Sequence, residues 1–265
     1  MQLETLPNIL RDEDQAGYRV YPSFVEPKVG ATMLDEVVDI TRKAALGKDV
    51  SPALVMPESQ KLEGQNPEDV VSKIFKLHRS GSFLTFLKDS RVRDIVVAAI
   101  GGDVDCFLSQ FIFKNPQAWG QPWHQDSFYF PFTPARPIVG LWLAVTEATL
   151  ENGCLHVLPG SQAEPVHRHI PDQRQGANNG YVEIIDHDMS RSEPCLLQPG
   201  DLMVFDSHLM HRSTDNVSDG IRAAMVWHFA AAGTEDPGIQ NRHGKQIPSL
   251  VNDWMPYIRD GEVLS

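Results

Sequence analysis

A change of residue pattern near residue 104 constrains the fold of this 265-residue chain more than any other feature. Beyond that point the sequence consists of short segments rich in β-branched and aromatic residues, which are typical of β-strands. Turn signals such as Asn152-Gly153 and Pro159-Gly160 separate these segments. Many short strands divided by turns predict a mainly β fold, either a sandwich or a jelly roll. The predicted strands are 104–114, 137–146, 154–158, 194–197, 202–206 and 221–230.

The residues before this change favour helices. Segment 31–46 places its apolar residues on one helical stripe, and segment 90–99 is followed by Gly101-Gly102, a common way to end a helix. Segment 67–78 begins with proline and two acidic residues, which suit the first turn of a helix. We therefore predict a mainly helical part over residues 1–103.

Two further segments complete the predicted organisation. Residues 162–193 are polar and rich in Gly and Asn, as expected of a long loop inserted between strands, and such loops often cover binding sites. An apolar patch at 254–258 predicts that the C-terminal segment docks on the rest of the protein. The prediction is one domain over 1–265, with a strand core at 104–233 and a C-terminal extension at 234–265.

Charge and cysteine content narrow the function classes. The net charge of −12 argues against binding to nucleic acid or to anionic lipid, because both need clustered Lys and Arg. Three widely spaced cysteines do not form a disulfide framework. The first residues lack the basic and apolar regions of a signal peptide, and no apolar run reaches membrane-spanning length. We expect a cytoplasmic protein.

The segment Pro122–Asp126 carries the first chemical signal. Alternate residues of an extended strand point to one face, so His124 and Asp126 are expected to project together. One imidazole and one carboxylate so placed fill two adjacent corners of an octahedral metal site. Non-heme Fe(II) oxygenases use two histidines and one carboxylate as ligands and leave the remaining corners open. Alone, His-x-Asp occurs in many proteins by chance, so a second histidine from another strand is required.

The second signal follows the predicted strand 202–206. His211 comes shortly after it, and Arg222 lies eleven residues later at the start of the next predicted strand. This spacing predicts two antiparallel strands joined by a polar turn. Arginine presents a fixed fork of donors that matches a carboxylate, so Arg222 is a candidate to anchor a dicarboxylate cosubstrate. Taken alone, Arg222 fits a surface or structural arginine better than an anchor for a cosubstrate. His208 is a rival to His211 as the metal ligand.

Together these segments resemble the phytanoyl-CoA dioxygenase family of 2-oxoglutarate oxygenases, over about residues 67–230. The family pattern of His-x-Asp, a distal histidine and an arginine at the eleventh position after it falls on four residues of this chain. Those residues are His124, Asp126, His211 and Arg222. Flanking stretches also match, including Glu151–Leu155, Leu158–Ser161 and Trp227–Phe229.

The resemblance implies a cupin-like double-stranded β-helix core with flanking helices. It implies Fe(II), 2-oxoglutarate and O₂ as cofactor and cosubstrates, and hydroxylation of a C–H bond in a small molecule with release of succinate and CO₂. Iron then binds to His124, Asp126 and His211. The residues that contact 2-oxoglutarate are expected to be Arg222, Ser213, Trp142, Gln110 and Lys73.

Two other classes remain open at this point. One is a zinc hydrolase or another cupin-like metal protein, which also uses histidines and carboxylates. The other is a non-catalytic sensor that keeps the metal ligands. Neither needs Arg222 or Ser213, so these residues favour the oxygenase. The aromatic run 128–132 is expected either to line the substrate pocket or to pack beside the metal site.

Overall fold

The computed structural model describes residues 16–60, 62, 66–240 and 246–264, with the side chain of Gln240 excepted. The helices are α1 (Pro27–Ala45), α2 (Gly81–Leu87) and α3 (Ser90–Ile100). The strands of the first half are β1 (Tyr18–Tyr21), β2 (Leu54–Pro57), β3 (Val71–Phe75), β4 (Val104–Lys114), β5 (Ile138–Ala144), β6 (Leu155–Val157), β7 (His169–Pro171) and β8 (Val182–Ile184). Those that follow are β9 (Glu193–Cys195), β10 (Leu202–Asp206), β11 (His211–Ser213), β12 (Arg222–Ala231), β13 (Ile239–Gln240), β14 (Gln246–Ile247), β15 (Met255–Arg259) and β16 (Glu262–Val263).

Within the described part of the chain, nine strands form one large antiparallel sheet. Its order is β1-β10-β5-β12-β4-β15-β16. Strand β15 pairs with the first residues of β4, and β3 pairs with later residues of the same strand. Strand β2 pairs with β3. The apolar C-terminal patch therefore docks as predicted, through β15 on β4. Strands β1, β4 and β15 come from the three predicted segments and share this one sheet.

The two faces of the large sheet pack against different partners because side chains alternate along each strand. On β12, Met225, Trp227 and Phe229 face the helices, where the ring of Phe86 stacks on Trp227 with centroids 4.5 Å apart. Helices α1, α2 and α3 all contribute buried apolar residues to this cluster. The helices therefore cover one face of the sheet with a continuous apolar core.

The opposite face meets a smaller sheet of order β11-β6-β9. Leu155 and Val157 of the smaller sheet share an apolar cluster with Trp142, Met203 and Val226 of the larger one. The two antiparallel sheets enclose a cavity between them, as in the predicted jelly roll. The mainly β fold with flanking helices is confirmed.

The predicted helix over 67–78 is wrong. Pro67–Val70 forms only a 3₁₀ turn, and the chain then continues as β3. The physical reason is the run from Val71 to Phe75, whose apolar residues are buried when the strand pairs with β4 through Lys73 and Ile112. The segments 31–46 and 90–99 are helical, as α1 and α3, apart from the end of the first.

The predicted insertion 162–193 contains structure of its own. Strands β7 and β8 pair as a hairpin within it, with His169 opposite Ile184. In the described residues, no helix is long and apolar enough to cross a membrane. Residues 1–15, where no signal peptide is expected, lie outside the described residues.

Candidate active site

His124 and His211 are brought together by the backbone. Each donates its N–H to the carbonyl of the other, at 2.9 and 3.0 Å, so the two residues form an isolated antiparallel bridge. Their imidazole centroids lie 4.2 Å apart. The bridge joins the loop before the 3₁₀ turn Asp126–Phe128 to the start of β11. Two histidines that are distant in sequence therefore share one buried location.

Both imidazoles are oriented in the same way by the main chain. Nδ1 of His124 lies 2.8 Å from the carbonyl of Pro122, and Nδ1 of His211 lies 2.9 Å from that of Leu209. A backbone carbonyl accepts a hydrogen bond, so Nδ1 carries the proton and Nε2 keeps its lone pair. Burial lowers the pKa of His211 to about 4, which keeps the ring neutral at physiological pH. An imidazole whose Nε2 keeps its lone pair is suited to bind a metal ion.

Asp126 supplies the third donor. Its Oδ1 lies 3.4 Å from Nε2 of His124 and 3.8 Å from Nε2 of His211. The three ligand atoms all lie within 4.8 Å of one another. Its Oδ2 accepts a hydrogen bond from Nε2 of the buried His228 at 2.8 Å. Two nitrogens and one carboxylate oxygen in this arrangement fit Fe(II).

The electrostatics of Asp126 also suit a ligand. Burial by itself raises the pKa of this carboxyl, but the neighbouring His211, His124 and His228 outweigh it and hold the pKa well below its usual range. The carboxylate is therefore ionised and available to a cation. His228 fixes its orientation, a role that the sequence analysis did not assign.

One cavity of about 530 Å³ is lined by the three candidate metal ligands and by all the other predicted site residues. It lies between the two sheets, and its wall includes the residues predicted for the metal and for 2-oxoglutarate. These are His124, Asp126, His211, Arg222, Ser213, Trp142, Gln110 and Lys73.

Arg222 and Lys114 make one part of the cavity wall strongly basic. Arg222 is buried at the start of β12, and its Nε and Nη2 donate to the carbonyl of Gly153 at 3.2 and 3.1 Å. Lys114, at the end of β4, donates to Ser213 Oγ and to the Thr214 carbonyl, both at 2.7 Å. Burial lowers the pKa of Arg222 to about 10 and holds the pKa of Lys114 well below its usual value. An anion bound here relieves the cost of burying both cations.

Unpaired donors show that this part of the wall fits a polar occupant. Among the described residues, Nη1 of Arg222 and Nε1 of Trp142 are buried without a hydrogen-bond partner. The guanidinium carbon of Arg222 lies 5.6 Å from the centre of the Trp142 ring. Buried donors without partners are costly, so an oxygen-rich ligand that accepts from them is expected. A dicarboxylate has this chemistry.

Lys73 and Gln121 line the cavity and connect to one of the metal ligands. Nζ of Lys73 donates to Oε1 of Gln121 at 3.3 Å, and it lies 5.2 Å from the ring centre of Tyr181. Nε2 of Gln121 is 3.0 Å from Nε2 of His124. Gln110 lines the same cavity from β4.

Three residues were missed by the sequence analysis, namely Lys114, Gln121 and His228. Alternation offers a signal for two of them. Lys114 follows Gln110 and Ile112 on one face of β4, and His228 shares its face of β12 with Arg222. Gln121 lies in an irregular loop, where no periodicity exists.

Two local predictions need correction. His124 and Asp126 do not lie on a regular strand, because Asp126 already begins a 3₁₀ turn, although both side chains still converge. Strands β11 and β12 are not paired neighbours. β11 belongs to the smaller sheet and β12 to the larger one, so His211 and Arg222 reach the cavity from opposite walls.

His208, the rival to His211, lies outside the cavity wall, whereas the aromatic run 128–132 contributes to it in part. His208 does not line the cavity in the described part of the chain, and its Nδ1 faces the carbonyl of Glu164 at 3.1 Å. Tyr129 and Phe130 line the cavity, whereas Phe128 stacks on His169. The aromatic run therefore divides, with Tyr129 and Phe130 at the cavity wall and Phe128 in a contact with His169.

Comparison with known proteins identifies the same family that the sequence motifs resemble. Residues 14–224 match the sequence profile of the family described as phytanoyl-CoA dioxygenase (PhyH). The chain is 28% identical to the peroxisomal phytanoyl-CoA dioxygenase of Bos taurus over 248 residues, which are 91% of this chain and 73% of the bovine protein. It is 31% identical to a probable phytanoyl-CoA dioxygenase of Caenorhabditis elegans, over 69% of this chain and 59% of that one. The crystal structure of EvdO2 from Micromonospora carbonacea var. aurantiaca superposes with a TM-score of 0.60 at 26% identity, covering 83% of this chain and 88% of EvdO2.

Proposed function

Because the chain belongs to the phytanoyl-CoA dioxygenase family of oxidoreductases, which use Fe(II), 2-oxoglutarate and O₂, we propose that it hydroxylates a C–H bond of a small organic molecule. The observation that carries this proposal is the single cavity that collects the candidate metal ligands and the candidate cosubstrate residues. The proposed stoichiometry converts substrate, 2-oxoglutarate and O₂ into hydroxylated product, succinate and CO₂.

We assign iron to His124, Asp126 and His211. When bound, iron supplies the activation of O₂ that is coupled to the oxidative decarboxylation of 2-oxoglutarate. The chain contributes two Nε2 lone pairs held in place by backbone carbonyls, and a carboxylate held by His228. These contacts fix the ligand geometry before the metal arrives, which limits the reorganisation that binding requires.

We assign the far carboxylate of 2-oxoglutarate to Arg222, Ser213 and Lys114. The free Nη1 of Arg222 supplies a charged donor, and the bond from Lys114 to Ser213 holds the hydroxyl at the cavity wall. Trp142, Gln110 and Lys73 are assigned to the sides of the same pocket.

The remaining wall fits a small substrate with an apolar part. Leu54, Met56, Phe75 and Phe130 line it, and Asn178 adds a polar group. A cavity of about 530 Å³ lies in the usual range for small-molecule sites. Walls of this kind exclude water from the reacting C–H bond and hold it in one orientation.

A zinc hydrolase or a sensor has no use for the buried pair Arg222 and Lys114, so these residues favour the oxygenase. The direct experiment is to load the protein anaerobically with Fe(II) and 2-oxoglutarate, add ¹⁸O₂ and candidate substrates, and analyse the products by mass spectrometry. We expect one labelled oxygen in succinate and one in the product, in equal amounts, and neither with Asp126→Ala. A product that contains chlorine in chloride buffer, or that gains no oxygen, contradicts the proposal.

Two further proposals concern the cellular compartment and the domain organisation with its partner. The described cysteines Cys106, Cys154 and Cys195 are free and buried, which fits a reducing compartment such as the cytoplasm. We further propose that residues 1–265 form one oxygenase domain whose partner is a small-molecule substrate rather than nucleic acid or membrane.

A further inference from the structure

A second group of metal-binding side chains lies outside the iron cavity, in the inserted segment. Glu164, His167 and His187 offer three ligand atoms within 4.8 Å of one another. Oε2 of Glu164 lies 2.8 Å from Nε2 of His167 and 3.0 Å from Nε2 of His187. The imidazole planes are at 88° with centroids 5.0 Å apart, so the two nitrogens approach the carboxylate from different directions.

Both ring nitrogens of His187 face oxygen acceptors. Its Nδ1 lies 3.1 Å from the carbonyl of Asp188, and its Nε2 faces the carboxylate of Glu164. A neutral imidazole has one N–H and cannot donate to both acceptors. Either a second proton or a metal ion between Nε2 and the carboxylate satisfies this arrangement. With Nδ1 protonated by the backbone contact, Nε2 is oriented as a metal ligand.

We propose that Glu164, His167 and His187 bind a zinc ion, with water as the fourth ligand. Two imidazole nitrogens and one carboxylate oxygen are a common protein ligand set for Zn²⁺. Among first-row divalent ions, zinc also binds such ligands more tightly than manganese, iron or cobalt. The side chains of Glu164, His167 and His187 are 38, 23 and 20% exposed, which leaves the site open to a water ligand.

The backbone around this site is already held in place by the loop that carries the iron ligands. Gln125 lies between His124 and Asp126, and its Oε1 accepts the N–H of His167 at 2.8 Å. Its Nε2 donates to the carbonyl of Pro165 at 3.1 Å. Two of the three zinc ligands therefore lie on a segment with few conformations to lose, which lowers the entropic cost of binding a metal.

The ligands lie at both ends of the hairpin formed by β7 and β8, so zinc closes its base. Gly180 and Tyr181, near the tip of that hairpin, line the iron cavity. The carbonyl of Gly180 also accepts a hydrogen bond from the hydroxyl of Tyr129 at 2.8 Å. Zinc is thus expected to stabilise one wall of the cavity. The two ligand sets share no residue, so zinc binding to this cluster does not require iron.

The test compares zinc content after dialysis of four metal-free proteins against Zn²⁺ at micromolar concentration. The wild type is expected to retain two equivalents, because the iron ligands also accept zinc. His211→Ala and His187→Gln are each expected to retain one, and the double variant none. Hydrogen exchange should show that zinc slows exchange across residues 164–187 in the wild type and in His211→Ala, but not in His187→Gln.

Glu183→Gln is the matched control, because Glu183 lies on β8 in the same insertion but outside the cluster. It should bind as much zinc as the wild type, whereas Glu164→Gln should lose one equivalent. Glu164→Gln also replaces His187→Gln if that variant does not fold. Equal zinc content in the wild type and the cluster variants overturns the proposal. Equal content in the wild type and His211→Ala instead overturns the iron assignment and leaves the second site standing.

Discussion

The two faces of strand β12 are buried to the same degree but carry different chemistry. On the face toward the helices, Trp227 is fully buried among apolar residues. On the face toward the cavity, Arg222 and His228 are each only 1% exposed. Burial of a cation and an imidazole is costly unless partners are present, whereas burial of the apolar ring atoms of Trp227 is favourable. Equal burial with unequal polarity therefore separates the face that stabilises the fold from the face that we propose to bind ligands.

Truncating the helix-facing side should produce the largest effect. Trp227→Ala removes a ring that stacks on Phe86 at 4.5 Å, and we expect the free energy of unfolding to fall by about 3–5 kcal/mol. Chemical denaturation measures the loss. The fraction that remains folded should still bind 2-oxoglutarate with nearly the wild-type affinity. A loss of less than about 1 kcal/mol would mean that this face is not the stabilising one.

Truncating the cavity-facing side should give the opposite result. Arg222→Ala removes the donor proposed to pair with a carboxylate in a closed site, a change that costs about 2–5 kcal/mol of binding. The KM for 2-oxoglutarate should rise about thirtyfold or more, with iron binding preserved. The loss of stability should be smaller than that of Trp227→Ala. An unchanged KM for 2-oxoglutarate would remove Arg222 from the cosubstrate site.

The contrast between the two faces also explains what sequence could predict. All six predicted strands after residue 104 overlap observed strands, because alternation and turn residues act locally. The helix predicted over 67–78 is wrong because the acidic start of the segment resembles the first turn of a helix. Its structure is determined instead by the pairing of β3 with β4. That pairing joins residues far apart in sequence, so it could not be read from this segment alone.

The site shows the same division. Short motifs and the family resemblance identified eight residues that line one cavity. They did not identify His228. This residue matters through its hydrogen bond to Asp126, which is far away in the sequence. They also did not reveal that Arg222 is held by the carbonyl of Gly153. Such partners depend on how strands from distant segments face one another.

His228 offers a sharper test within the cavity face. His228→Leu removes the 2.8 Å hydrogen bond to Asp126, so iron affinity should fall by about 10–100-fold, as expected for a residue that orients a ligand. Anaerobic iron titration measures this change. His156→Leu is the control, since His156 is a partly buried histidine on β6 that does not line the cavity. Equal affinity in both variants would reduce His228 to a packing role.

The most direct test of the account is the comparison of His211→Ala with His208→Ala. Both residues follow β10, but His211 bonds to His124 through the backbone and lies in the cavity, whereas His208 faces Glu164. The measurement is iron content, together with the visible absorption that develops when 2-oxoglutarate binds iron under anaerobic conditions. We predict that His211→Ala loses both signals and that His208→Ala keeps both. Loss in His208→Ala with retention in His211→Ala would contradict the assignment of iron to His124, Asp126 and His211.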